Sequence, residues 1–234
     1  MRLDSYISKK YNISRSKAQI LISLGFVRVN NVIKKFSYEV KKDDTIDIML
    51  LDFVSRAELK LAYFIKELNA KGFRFDFNNK LILDVGTSTG GFSHYFLIQN
   101  ASIVGIDVND VVDERVKSMK NFRFIQMNVI DLDFKDEFDF ASCDISNLDP
   151  KLYIHKLLRA LKPNGYLFFL FKPQYLFFPP KRVDEREALK LANEFKSFVE
   201  ENENGKIEYM SVSKLKGKTK NTGTNEVWML IKKL

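Results

Sequence analysis

The stretch richest in chemistry reads LILDVGTSTGGFS from Leu81 to Ser93 and, a short run later, IVGIDV from Ile103 to Val108. An apolar strand-like run ends at Asp84. A loop of glycines and hydroxyls follows (Gly86, Thr87, Ser88, Gly90, Gly91), and an amphipathic helix begins at Phe92. Such a loop at the carboxyl end of a strand exposes backbone N–H groups, and its glycines let a nucleotide-like ligand approach the main chain. Asp107, followed by Val108, closes the second run about 20 residues later, where an acidic side chain grips a ribose diol. The glycines miss the G-x-G-x-x-G spacing of dinucleotide sites and the loop opens on an acid. Both features suit a small, positively charged adenosyl ligand better than a pyrophosphate.

Four charged residues stand out by location. Lys60 lies in the helical SRAELKL segment, Asp144 ends the strand-like FDFASC run, Lys172 follows five apolar residues in LFFLFK, and Glu226 opens TNEVWML. Strand ends meet the ligand in a doubly wound sheet, so Asp144 and Lys172 should converge on one pocket. Each alone reads equally well as an ordinary strand-end charge, but the four together are harder to dismiss. Asn128 and Val129, just past a third strand-like run, complete the candidates for the adenosyl side.

The elements that must position these residues follow from the apolar pattern. A helix is expected from about Arg56, a strand from Leu81 that stops at Asp84, and further strands at 103–107, 122–126, 138–144, 166–171, 207–212 and 227–231, with long helices at 152–161 and 184–201. Asp149-Pro150 has the form of a helix start. Only the loop SKLKGKTKNTGTNE separates the last two strands, so they should pair antiparallel at the sheet edge. The fold class is therefore α/β. The chain of 234 residues, 45% hydrophobic, can bury one substantial core and a small second one. Its net charge of +8 favours a polyanionic partner, and ten Lys+Arg against five Asp+Glu fall before residue 52. The lone Cys143 rules out an internal disulfide framework and sits in an apolar run. His94 and His155 read as surface or boundary side chains. No signal peptide or spanning segment is apparent, so a cytoplasmic protein is the default.

Residues 1–50 form a separate unit, followed by a linker at 51–57 and the main domain at 58–234. Leu3, Tyr6 and Ile7 start one helical face, Ser14 caps a second helix ended by Gly25, FVRVNNVIKK alternates as two strands about Asn30-Asn31, and DDTIDIML is a further strand. RLD at Arg2–Asp4, SRSKA at Ser14–Ala18 and GFVRVNN at Gly25–Asn31 resemble the alpha-L RNA-binding module, with Asn31 where that family usually has Gly. The resemblance implies that Arg2, Arg15, Lys17, Lys34 and Lys35 face RNA phosphates. Lys181, Arg182, Lys216 and Lys218 are the RNA-contacting candidates of the second domain.

The order D-x-G-x-x-x-G-G-F, in turn, resembles motif I of S-adenosylmethionine-dependent methyltransferases. Lys60, Asp144, Lys172 and Glu226 as a set resemble the Lys-Asp-Lys-Glu tetrad of FtsJ-type ribose 2′-O-methyltransferases. Together with the first fifty residues, the chain looks like the TlyA family of rRNA 2′-O-methyltransferases, often labelled haemolysins. The resemblance implies a seven-stranded Rossmann-like sheet, S-adenosyl-L-methionine as cofactor, no metal, and a cytidine ribose in rRNA as target. It favours the large subunit, because the chain starts at RLD and stops soon after the last strand, as the shorter family members do.

In that reading Lys172 is the base for the ribose hydroxyl. Desolvation, Lys60 and the sulfonium should lower its pKa, while Asp144 and Glu226 oppose them and orient the lysines. Gly91 is expected to admit the donor, and Glu226 to sit at a rim where water can replace it. The family's Gly-rich stretch after Lys-Pro-Gln is here YLFFPPKRVDEREALK, whose apolar residues 175–178 are read as packing on the sheet rather than as a stacking wall for a nucleotide. Two other classes remain: a non-catalytic rRNA-binding assembly factor, which would leave stripped ribosomes unmethylated, and a membrane-active haemolysin, which would need a spanning or exposed amphipathic segment.

Overall fold

The computed structural model describes residues 1–49, 52–219 and 222–234, apart from the side chains of 218, 219, 222 and 223. The chain divides into two compact units, Met1–Phe53 and Val54–Leu234. The boundary expected at 50–51 falls outside the described residues.

In the first unit, α1 (Leu3–Lys10) and α2 (Arg15–Ser23) bury Leu3, Ile7, Ala18, Leu21 and Ile22. The Ser14 hydroxyl caps α2 by accepting from Lys17 N–H. Asn30 and Asn31 take the left-handed conformation expected of the turn. The hairpin is nonetheless only one bridge long, Val29 to Val32. The partner of β1 (Val27–Val29) is instead β2 (Ile46–Ile48), running antiparallel. The pair the sequence suggests fails because Val32 and Ile33 have no core to face and remain half exposed.

The second unit begins with α3 (Arg56–Ala70), and its sheet is laid down as β3 (Leu81–Val85), β4 (Ser102–Asp107), β5 (Phe122–Gln126), β6 (Phe138–Cys143), β7 (Leu161–Phe171), β8 (Gly205–Val212) and β11 (Val227–Lys233). The spatial order is β5-β4-β3-β6-β7-β11-β8. The first five strands run parallel, and β11 lies antiparallel between β7 and the edge strand β8. Alternating burial on the central strands supplies both faces. On one side α6 (Ile154–Ala160) and α7 (Glu185–Asn202) cover Leu83, Phe169 and Met229, and on the other α3, α4 (Gly91–Leu97) and α5 (Glu114–Lys117) cover Ile82, Phe168 and Trp228. Phe64 of α3 stacks on Trp228 at 4.7 Å between ring centres, which ties the first helix of this unit to its last strand.

Three details differ from the sequence reading. The strand expected from Tyr166 starts at Leu161, where it pairs with Phe138 ahead of a register shift, so the preceding helix ends at Ala160. Asp149 does cap a turn that starts with Pro150, but a 3₁₀ turn over Pro150–Leu152 precedes α6. The loop before Glu226 contains a small hairpin of its own, β9 (Gly217–Thr219) and β10 (Thr222–Thr224). Among the described residues no helix is long and apolar enough to cross a membrane.

Candidate active site

The sheet changes direction between β3 and β6, the two strands from which the chain leaves toward opposite edges, and a cleft of about 780 Å³ opens there at the carboxyl ends of the strands. The volume suits a ligand of nucleoside size. Gly86, Thr87, Ser88, Gly91 and Phe92 line it from the loop after β3, Asp107 and Val108 from β4, Asn128 and Val129 from the turn after β5, and Asp144 and Lys172 from β6 and β7.

Asp107 is oriented by backbone. Its Oδ2 accepts from Ser88 N–H at 2.9 Å and its Oδ1 from Asn109 N–H at 3.0 Å, leaving lone pairs on both oxygens for hydroxyls in the cleft. Asp84 and Gly90, by contrast, do not line the cleft. The Asp84 carboxylate is buried under the loop, where Ser93 and Ser142 donate to it at 2.6 and 2.8 Å. Burial pushes Asp84 up to about 6 against these hydrogen bonds. Its contact with a ligand is thus indirect, through the shape it gives the loop.

Gly91 also has a different use from the one expected. A Cβ there would lie 2.2 Å from Ser55 Oγ and 3.0 Å from Glu58 N, so the missing side chain lets α4 start against the first turn of α3. That contact brings Ser55, Arg56 and Ala57 into the cleft wall, and the sequence reading missed all three. Ser55 Oγ and Arg56 Nε are buried without a hydrogen-bond partner. Buried orphan polar atoms beside a cleft are the groups a ligand would satisfy. The signal was available: a Ser-Arg pair at a helix start, read only for the helix it begins.

The four charged candidates come together as two ion pairs. Lys60 Nζ lies 2.5 Å from Glu226 Oε2, and Lys172 Nζ lies 2.5 Å from Asp144 Oδ1. Lys172 also donates to the Asp144 carbonyl at 3.1 Å and to Ser146 Oγ at 2.8 Å. Burial lowers the Lys172 pKa, but the charges of Asp144 and Glu226 outweigh it and the net shift is upward. The downward shift expected from desolvation and neighbouring cations is therefore not found, because the two carboxylate charges outweigh the burial. Glu226 is not at a rim either: it is 2% exposed, and the hairpin backbone at Gly217 lies so close that a Cβ there would be 2.2 Å from its Oε1.

His94 departs from its surface reading. It is buried, with Nδ1 2.8 Å from Glu58 Oε1, and Glu58 Oε2 in turn accepts from Val54 N–H. His155 is exposed. Cys143 is fully buried and its thiol is pushed up to about 12 by desolvation, which makes it inert.

Several RNA-side candidates have partners within the protein. Arg2 and Arg15 both bind the buried Asp4 carboxylate, at 3.1 and 3.0 Å, and Gln19 donates to it at 2.7 Å. Burial pushes Asp4 up, but these hydrogen bonds win and hold the carboxyl well below its ordinary range. Lys17 lies over the Phe53 ring and Lys34 over Tyr38, while Lys35 is exposed. In the second unit Lys181 pairs with Glu187, and Arg182 and Lys216 are exposed. The side chain of Lys218 lies outside the described residues.

Comparison with known proteins agrees with this geometry. The family described as FtsJ-like methyltransferase matches residues 53–233, and the S4 domain, a small RNA-binding module, matches residues 1–46. The 23S rRNA (cytidine-2′-O)-methyltransferase TlyA of Campylobacter jejuni is 34% identical over 81% of this chain and 81% of its own length. Hemolysin A of Brachyspira hyodysenteriae is 34% identical over 75% of each. A solved Lactococcus lactis protein that carries a provisional hemolysin label superposes with a TM-score of 0.69, covering 79% of this chain and 90% of that one at 25% identity. The chain belongs to the FtsJ-like methyltransferase family and, with an S4 domain ahead of that fold, to its TlyA branch.

Proposed function

We propose that this protein transfers a methyl group from S-adenosylmethionine to the 2′-hydroxyl of a cytidine in large-subunit rRNA. One observation carries the reading: the Lys172–Asp144 pair lines a nucleoside-sized cleft that also presents Asp107 and the buried, unbonded Ser55 Oγ and Arg56 Nε, and the Lys60–Glu226 pair lies close enough for the Glu226 charge to act on Lys172. The activity for which the Campylobacter relative is named supports the cytidine and the 23S molecule. A ribosomal substrate puts the reaction in the cytoplasm.

When bound, S-adenosylmethionine supplies a methyl group already activated for transfer to a nucleophile. Asp107 accepts the donor's ribose hydroxyls, and Ser55 and Arg56 satisfy their buried polar atoms on its carboxylate. Val108, half exposed at the cleft, gives its base an apolar wall. Lys172, in its neutral form, takes the proton of the ribose hydroxyl, and Asp144 and Ser146 hold its Nζ in place. The Lys60–Glu226 pair fixes the far side of the same hydroxyl.

Donor binding is expected at micromolar affinity, about −8 kcal/mol, and Asp107→Ala is expected to weaken it at least ten-fold, since the ribose hydroxyls would be buried without an acceptor. Isothermal calorimetry measures both. Unchanged affinity in the variant would remove Asp107 from the donor site.

The function itself is tested by incubating the full chain with labelled donor and unmethylated ribosomal subunits, then mapping the label by nuclease digestion. Label is expected in a single 2′-O-methylcytidine of the large subunit. A chain lacking residues 1–50 should retain donor affinity, because Val54–Leu234 has its own core. Its KM for rRNA should rise ten-fold or more, with a shallower salt dependence, as phosphate contacts are lost. Equal rates at low substrate would exclude RNA docking by the first unit.

A further inference from the structure

The segment after Lys172 splits in two. Pro173–Leu176 forms a 3₁₀ turn, and Leu176 and Phe177 pack against the core, with Lys181 Nζ 3.9 Å above the Phe177 ring. Packing on the sheet, the use expected for the whole run, holds for these residues. Phe178 does the opposite: among the described residues it is the most exposed large apolar side chain, at 102%. A phenyl ring left in water forgoes the burial free energy that Leu176 and Phe177 gain, and this one stands on the segment that leaves Lys172.

We infer that Phe178 is a stacking platform for a base of the single-stranded rRNA segment next to the methylated nucleotide. This rests on the methyltransferase reading above. Position supports it: five residues, four of them in a 3₁₀ turn, separate Phe178 from Lys172, a reach of at most roughly 15 Å, so the ring stands near the nucleotides that flank the target. Rigidity supports it too. The anchored Phe177 precedes the ring, and Pro179 and Pro180, whose φ angles are restricted, follow it. Charge supports an anionic occupant over an apolar one through Arg182, exposed four residues on, whereas Lys181 is engaged by the Phe177 ring and Glu187. Of the adjacent acids, Asp184 caps α7 and Glu187 takes up the charge of Lys181, while exposed Glu185 is followed by exposed Arg186. An exposed aromatic beside cations is how proteins hold unpaired bases with little sequence preference.

The test uses the full-length enzyme with unmethylated large ribosomal subunits. Phe178→Ala is expected to raise KM for the subunit about ten-fold, with kcat within two-fold and donor affinity unchanged. Phe178→Trp should keep the wild-type KM, and Phe178→Leu should not, because leucine is apolar without a π face. The tryptophan variant adds a direct reading. Trp228, the one native tryptophan, is buried, so quenching on titration with a short single-stranded cytidine-rich RNA reports stacking at position 178. Three results would overturn the inference: an unchanged KM in Phe178→Ala, Leu restoring KM as well as Trp, or a change in association state by size exclusion with KM unaltered, which would mark a protein-binding surface. If the wild-type chain methylates no rRNA, the parent reading fails. If it does and Phe178→Ala is indistinguishable from it, the stacking role alone fails.

Discussion

Lys172→Arg is expected to lower kcat at least a hundred-fold while donor and rRNA affinities stay within about two-fold. General-base catalysis by a positioned group contributes ~10²–10⁴ in rate. Arginine keeps the positive charge and the hydrogen-bonding capacity, but it does not release a proton near neutral pH. The substitution therefore separates charge from base function at one position. The upward pKa shift of Lys172 adds a second signature. In the free enzyme the neutral amine is the minor form, so kcat/KM should rise about ten-fold per pH unit from pH 7 toward the lysine pKa. Steady-state kinetics over pH 7–9 with saturating donor measures both. Near-wild-type turnover of Lys172→Arg, or a flat alkaline profile, would leave the four charges with a positioning role only.

Glu226→Ala is expected to be as severe as the lysine substitutions, and to act on the fold as well as the rate. Glu226 and Lys60 are both largely buried and in direct contact, so removing the carboxylate leaves an uncompensated ammonium in a dry site. Breaking one partner of such a pair costs about 3–5 kcal/mol. Glu226→Gln, which still accepts a hydrogen bond from Lys60, should lose less stability while lacking the charge. Urea unfolding of wild type, Glu226→Ala, Lys60→Met and the double variant gives the coupling energy by a double-mutant cycle. The double variant should be more stable than Glu226→Ala alone. A loss below about 1 kcal/mol in Glu226→Ala would mean that water reaches the carboxylate after all and the pair is loosely held.

The amino-acid sequence by itself determined the parts of this protein that depend on local pattern. Apolar runs closing on Asp84, Asp107 and Asp144 marked parallel strands and their carboxyl ends, and the Gly-rich loop marked where the cleft opens. Ser14 and Asp149 read correctly as caps, because a cap is a bond between a side chain and a backbone N–H two or three residues away. What failed were statements about partners far along the chain. The Asn30-Asn31 turn formed as written, yet the strand that pairs with β1 came from 46–48, since pairing goes to the segment that can share the core. Gly91 was legible as a close approach, but only the packed unit shows that the approaching group is the start of α3. Asp84 was legible as a carboxylate at a strand end, and its burial under Ser93 and Ser142 followed from α4 and the neighbouring strand β6. The same holds for the four charges. Their positions at strand ends and on α3 could be read one by one, but the meeting of Lys60 with Glu226, 166 residues apart, and the direction of the Lys172 shift were decided by tertiary structure. Hydrophobic periodicity records which face of an element is buried, whereas a proton's affinity depends on which charges end up within a few ångströms and how much water they exclude.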